Sequence, residues 1–207
     1  MPEYLLNPPL DETALNPDPL AQFEQWLEAA RQAEMIEPNA MTLASCDANG
    51  RPSARIVLFK GLVDGGPTFY TNYDSRKGQD LAANPNVALV FWWDKLERQI
   101  RIEGRVSKLD PERSAHYFHR RLRGSQLAAY TSRQSAVAIS REDMERRLEE
   151  VTARFEGQDV PCPPNWGGYR VEAEQFEFWQ GRRGRFHDRF VYRRDGTSNW
   201  KIQRLEP

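Results

Sequence analysis

The sequence is poor in cysteine: 207 residues hold two, Cys46 and Cys162, without the paired spacing of a metal knuckle or a redox motif. A disulfide-stapled scaffold is not expected, and a reducing cytoplasm fits best. Long apolar runs are missing as well. No window approaches the roughly 18 apolar residues of a membrane span, and the Met-Pro-Glu-Tyr start has no basic region followed by an apolar stretch, so neither membrane insertion nor secretion is expected. Excess charge of one sign is also lacking. With 29 basic against 30 acidic residues the balance is −1, which argues against a nucleic-acid binder. No internal repeat or low-complexity tract is evident. The mean hydropathy of −0.77 is low, yet 11% aromatics and mixed-sign charge set the chain apart from disordered sequences. One compact domain over 18–207 is expected, preceded by an irregular, proline-rich arm at 1–17.

Asp18 followed by Pro19 reads as a helix cap and first turn, with Leu20, Phe23, Leu27 and Ala30 on one face at helical spacing. From Met41 to Leu109 the texture changes to short β-branched and aromatic runs split by Asn49-Gly50, Gly65-Gly66 and Asn84-Pro85. A meander of antiparallel strands near 41–46, 53–60, 67–72, 87–93 and 98–109 is expected, with a short helix after Ser75; five such strands suggest a barrel. Asp110-Pro111 opens a helix to about Arg121, and a second helical stretch covers Gln126 to Tyr130. Ser140 with Asp143 resembles a capping box before a helix that aligns Met144, Leu148, Val151 and Phe155. A loop from Gly157 to Gly168 leads to strands near 169–180, 185–193 and 199–205.

Several groups of residues suit an anionic ligand. Ser75-Arg76-Lys77 sets a hydroxyl cap and two cations at a helix start, a corner that fits a phosphate, although basic residues there are more often simply solvated. Tyr117, Arg121 and Ser125 recur every four residues, offering a phenol, a guanidinium and a hydroxyl on one helical face, and Gly124 is a candidate helix end. Strand alternation through 185–190 sends Arg185, His187 and Arg189 to one face and Phe186 and Phe190 to a core face; an anionic ligand or plain solvent accounts for the basic side. Arg55 and Lys60 bracket an apolar strand with the wrong parity to reach one pocket. Either a bulge lies between them or the ligand wraps an edge. Gln99, Gln134-Ser135 and Trp179-Gln180 suit hydrogen bonding to a heteroaromatic ring. His116 and His119 have metal-like spacing but no third ligand nearby, and neither cysteine has an activating base in sequence, so no metal site and no nucleophile is assigned.

Taken together, Arg55-Ile-Val-Leu-Phe-Lys60, Phe69-Tyr-Thr-Asn72, Ser75-Arg-Lys77, Glu97-Arg-Gln99, Tyr117-Phe-His119 with Arg121 and Ser125, Gln134-Ser135, Phe178-Trp-Gln-Gly181 and Arg185-Phe-His-Asp-Arg189 resemble the pyridoxine (pyridoxamine) 5′-phosphate oxidase family. The likeness runs over about 18–207, including the Trp-Lys-Ile-Gln-Arg-Leu ending. It implies an α+β, mainly β fold, an FMN-binding split β-barrel with flanking helices, working as a homodimer with FMN at the interface. It further implies that Arg55, Lys60, Tyr70, Thr71, Arg76, Lys77, Gln99, Gln134, Ser135, Trp179 and Arg189 contact FMN. Lys60, Tyr117, Arg121 and Ser125 would hold the substrate phosphate, with Arg185 and His187 at the reacting carbon as the catalytic pair. The implied reaction oxidises pyridoxine or pyridoxamine 5′-phosphate to pyridoxal 5′-phosphate with O2, releasing H2O2, and NH3 from the amine. An FMN reductase fed by a nicotinamide and a non-catalytic carrier are the rivals; Tyr117, Arg121, Ser125, Arg185 and His187 weigh against the reductase. The chain departs from the family pattern at Leu122 and Gly124, in the basic segment Gly181-Arg-Arg-Gly184, and at Pro2, where an arginine often precedes Glu-Tyr.

Overall fold

The computed structural model describes residue 4, residues 6–196 and residues 199–207; Pro2 and Glu3, on which the comparison of the arm turns, lie outside the described residues. Asp18 accepts a hydrogen bond from the Leu20 N–H at 3.0 Å and Pro19 takes the first helical position, so α1 (Pro19–Gln32) begins where the cap signal lies. Its inner face buries Phe23, Trp26, Leu27 and Ala30. Loss of that cap should cost about 1 kcal/mol. Asp18→Ala is therefore expected to lower Tm by about 2–4 °C, read by thermal denaturation.

The strands are β1 (Ala40–Cys46), β2 (Pro52–Leu58), β3 (Leu62–Val63), β4 (Gly66–Asn72), β5 (Asn86–Trp93), β6 (Arg98–Lys108), β7 (Trp166–Gln180), β8 (Asp188–Arg194) and β9 (Trp200–Arg204). All pair antiparallel, in the order β2-β1-β5-β6-β7-β4-β3, with β8 and β9 branching from β7. The expected meander is thus corrected. Strand β1 lies between β2 and β5, and β4 pairs with β7, because the 15-residue β7 uses its first half against β4 and its second half against β8. The two ends of the path, β2 and β3, are consecutive in the chain, so the sheet curls upon itself without closing into a continuous ladder.

The interior is aromatic. Phe23 of α1 packs edge-on to Phe59 and tilted against Phe91, and Trp26 meets Phe178, so the helix plugs the curl. A second cluster, Phe118, Leu127, Phe155, Val160 and Trp166, binds α3 (Pro111–His119), α4 (Arg123–Thr131) and α5 (Arg141–Arg154) to the start of β7. Ser140 caps α5 through the Asp143 N–H, as its sequence suggests. Of the expected apolar stripe only Val151 and Phe155 join this cluster, while Met144 and Leu148 are exposed, because the inward face of α5 carries Asp143, Arg147 and Val151, with Arg147 Nη1 donating to the Thr131 carbonyl of α4. Residues 166–168 belong to β7 rather than to the loop. Among the described residues no helix is long and apolar enough to cross a membrane.

The arm is stitched down by polar contacts. Leu6 N–H donates to Glu97, Asn7 Nδ2 to the Leu96 carbonyl, Leu10 N–H to Asp188, and Gln180 Nε2 to the Pro8 carbonyl. Tyr4 sets its ring edge-on to Trp179 and His187.

Candidate functional site

A cavity of about 540 Å³ opens between β2, β4, α2 (Arg76–Ala83), α3 and α4, a volume that suits a small cofactor or substrate. Arg55, Lys60, Tyr70, Thr71, Lys77, Tyr117, Arg121, Ser125 and Gln134 all line it. The parity conflict between Arg55 and Lys60 disappears because β2 ends at Leu58. Phe59 N–H then donates to the Asn39 carbonyl, and Lys60 N–H donates to the Thr68 carbonyl of β4, so the backbone changes partner between the two cations. Neither a bulge nor an edge-wrapping ligand is required.

Arg55 is held by its neighbours. Nη1 donates to the Leu43 carbonyl at 3.1 Å and to Ser45 Oγ at 2.7 Å, Nη2 donates to Ser53 Oγ at 2.7 Å, and Asp80 lies 3.5 Å away. Asp80 in turn accepts from Ser45 Oγ. Lys77 Nζ donates to Gln134 Oε1 at 2.7 Å and Thr71 Oγ1 at 3.1 Å. Burial, with Arg55 nearby, holds the Lys77 ammonium below the usual lysine range; burial likewise lowers Arg55, against the opposing pull of Asp80. These cations are partly stripped of water, and an incoming anion would restore what they have lost.

The opposite wall is built by α3, the turn after it, and α4. Here the expectation of one continuous helical face is corrected: α3 ends at His119, Arg121 sits in the turn, and Ser125 belongs to α4. Gly124 lies in the first turn of α4 rather than ending a helix. The three side chains still line one cavity, and the turn between the helices is held by Gln126 Nε2, which donates to the His119 and Arg121 carbonyls. Tyr117 stacks on Tyr70 at 3.9 Å between centroids, and the Arg121 guanidinium lies 4.8 Å over Trp166. Burial lowers the Arg121 pKa, partly offset by Tyr117 and Cys162. Its Nη1 is buried and, among the described residues, has no hydrogen-bond partner. An unmatched buried guanidinium nitrogen is expensive unless an anion completes it.

Arg76 and Ser135 line an adjoining cavity of about 560 Å³ that shares Asn72, Ser132 and Gln134 with the first. Ser75 caps α2, and the close seat of that helix needs glycine at 78, where a Cβ would come within 2.1 Å of the Tyr73 carbonyl oxygen. The polar contacts around Ser45, Asp80, Ser132 and Trp166 were not apparent from the sequence. Asp80 alone carries a signal, as a carboxylate one turn after Arg76 on a helix.

The remaining candidates form a separate cluster. Gln99 pairs in register with Trp179, and Trp179 with Arg189, across β6, β7 and β8. The Trp179 and His187 rings lie 4.6 Å apart. Residues 185–187 are not strand as expected: β8 starts at Asp188, and Arg185 ends a tight turn with φ of 62° beside Gly184 at 67°. The alternation therefore fails there, and Phe186 is 75% exposed, whereas Phe190 is in the core. Gln99, Trp179, Arg185, His187 and Arg189 line neither cavity. Within one chain, then, two polar clusters stand apart.

Comparison with known proteins adds the following. A family model described as pyridoxamine 5′-phosphate oxidase matches residues 27–155, and one described as the pyridoxine 5′-phosphate oxidase C-terminal dimerisation region matches residues 166–207. A pyridoxine/pyridoxamine 5′-phosphate oxidase of Rubrobacter xylanophilus is 54% identical over 96% of this chain and 91% of its own length. Its namesake from Burkholderia mallei is 53% identical over 96% and 93%. The crystal structure of PhzG from Burkholderia lata 383, in complex with tetrahydrophenazine-1-carboxylic acid, superposes with a TM-score of 0.89 at 31% identity, covering 94% of this chain and 95% of that one. A pyridoxamine 5′-phosphate oxidase-related, FMN binding protein from Nostoc punctiforme shares the fold, with a TM-score of 0.75 at 16% identity over 93% of this chain and all of that one.

Proposed function

The chain belongs to the pyridoxamine 5′-phosphate oxidase family, and from that premise we propose that it oxidises pyridoxine or pyridoxamine 5′-phosphate to pyridoxal 5′-phosphate with FMN as cofactor and O2 as acceptor. The observation that carries the reading is the convergence of cations from separate elements on one cavity, with the Arg121 Nη1 left without a partner. Two phosphomonoesters match this donor set. Arg55, Lys77, Thr71 and Gln134, joined by Arg76 and Ser135 across the shared wall, would hold FMN; Lys60, Tyr117, Arg121 and Ser125 would hold the substrate phosphate. FMN, when bound, would supply the two-electron redox chemistry between the substrate 4′ carbon and O2, with H2O2 as the reduced product. The side chains of the protein bind and orient: phosphate contacts fix the substrate ring in register, and when the substrate is the amine, oxidation leaves an imine whose carbon takes up water to give the aldehyde and release NH3.

The second cluster gives this reading its quaternary form. Gln99, Trp179, Arg185, His187 and Arg189 line no part of the two cavities of their own chain, and the match to a dimerisation region over residues 166–207 covers four of these five. A homodimer in which they complete the partner's cavity would bring all the candidate residues to one flavin, at the interface.

The direct test is to purify the protein, look for bound yellow flavin, and add pyridoxamine 5′-phosphate without oxygen. Bleaching, followed by peroxide on readmitting air, is expected. Colour that persists under these conditions would mean a carrier rather than an oxidase. Arg76→Ala should chiefly weaken flavin retention, by about tenfold or more, since one charge-assisted contact is removed. Equilibrium dialysis of FMN checks it, with kcat at saturating FMN little altered.

A further inference from the structure

We propose that His187 meets the substrate as a neutral imidazole with its proton on Nε2, a hydrogen-bond donor and not a proton acceptor, and that Arg182 is the positioning residue that enforces this form. The proposal rests on the oxidase reading only for the identity of what the ring addresses. Its basis is one contact: the backbone N–H of Arg182 donates to His187 Nδ1 at 3.1 Å. A backbone N–H can only donate, so Nδ1 must present its lone pair. Protonating Nδ1 would set two hydrogens against each other. In the neutral ring the proton therefore resides on Nε2, which has no hydrogen-bond partner among the described residues and is the nitrogen left to address a ligand.

The groups around the ring favour the same form. Trp179 and Tyr4 flank it with aromatic surface, at 4.6 Å and 5.6 Å between centroids. Burial disfavours a positive charge on the imidazole, and the nearby Arg185 charge acts in the same direction. Asp188 would stabilise an imidazolium, but its oxygens are committed elsewhere: Oδ1 to Arg204 at 2.8 Å, and Oδ2 to the Leu10 N–H at 2.9 Å with Arg182 Nε at 3.6 Å. The Arg182 guanidinium also donates to the Asn7 carbonyl, so the residue that supplies the amide is anchored to both the arm and Asp188. The ring is thus fixed in place and in tautomer before any substrate arrives. The role involves no covalent or redox step; the Nε2–H donates to an oxygen or nitrogen lone pair on the substrate and keeps its proton.

Two measurements test this. In the ¹⁵N-labelled protein as purified, with His187→Gln used to assign the ring, the His187 shifts at neutral pH should report an unprotonated Nδ1 and a protonated Nε2. A protonated Nδ1, neutral or cationic, would overturn the proposal. This measurement needs no turnover, so its failure is separable from failure of the oxidase reading. In kinetics, glutamine places its amide N–H near the position of Nε2, whereas asparagine is too short. His187→Gln should therefore retain about tenfold more kcat/KM than His187→Asn, the value of one hydrogen bond. Equal loss in the two variants, of the about 10²–10⁴-fold that removal of a general base brings, would overturn it.

Discussion

Arg185→Ala is expected to lower kcat by about 10²–10³-fold, the loss that follows removal of one preorganised charge from a reacting centre. The residue occupies an unusual backbone position. Its φ of 62° is left-handed, and such positions in a non-glycine residue persist where the surrounding structure holds them. The turn built by Gly184 and Arg185 stands outside the strand, so the location of this residue is set by the loop and not by sheet alternation, near enough to His187 for its charge to act on the imidazole. In the proposed reaction its charge would steady electron density developing in the pyridine ring and orient the 4′ substituent. Flavin retention should change little. Steady-state kinetics together with FMN dialysis separate the two effects, and unchanged kcat would remove Arg185 from catalysis.

Arg121→Ala is expected to act on KM instead, raising it by about 10- to 150-fold for the phosphorylated substrate, since a charge-assisted hydrogen bond is worth about 1.5–3 kcal/mol. The physical reason is the unmatched Nη1: the half-buried guanidinium over Trp166 has one buried nitrogen unsatisfied among the described residues, and the ligand's phosphate would satisfy it. Unphosphorylated pyridoxamine should be handled equally poorly by the wild type and the variant. An unchanged KM for the phosphate ester would contradict the assignment.

The two variants also test the shared site together. If Arg121 and Arg185 serve one cavity from different protomers, mixing the two variants after dissociation should restore activity at a substrate concentration far below the raised KM of Arg121→Ala, with about a quarter of the sites intact at random reassortment of a two-fold dimer. If both residues serve the site of their own chain, no mixture recovers.

Much of the architecture was legible in the sequence because its signals are local. Asp18-Pro19, Asp110-Pro111 and Ser140 mark helix starts through hydrogen bonds made within a few residues, and β-branched runs between Asn-Gly and Gly-Gly turns mark strands. Local periodicity misleads where it runs past an element's end. Arg55 to Lys60 read as one strand, 185–190 as another, and Tyr117 to Ser125 as one helix; in each case the chain turns within the segment.

The sequence by itself determined which residue types are present to meet anions, in what order they occur along the chain, and the family they resemble, since these follow from identity and spacing alone. Only the tertiary structure decided which of them share a cavity. Arg55 and Lys60 line one cavity because the backbone changes its partner between Phe59 and Lys60, from Asn39 to Thr68 of β4, and Arg121 is half-buried because its guanidinium lies over Trp166. Such exchanges depend on hydrogen bonds between residues distant in sequence, and no local pattern encodes a partner that lies elsewhere in the chain.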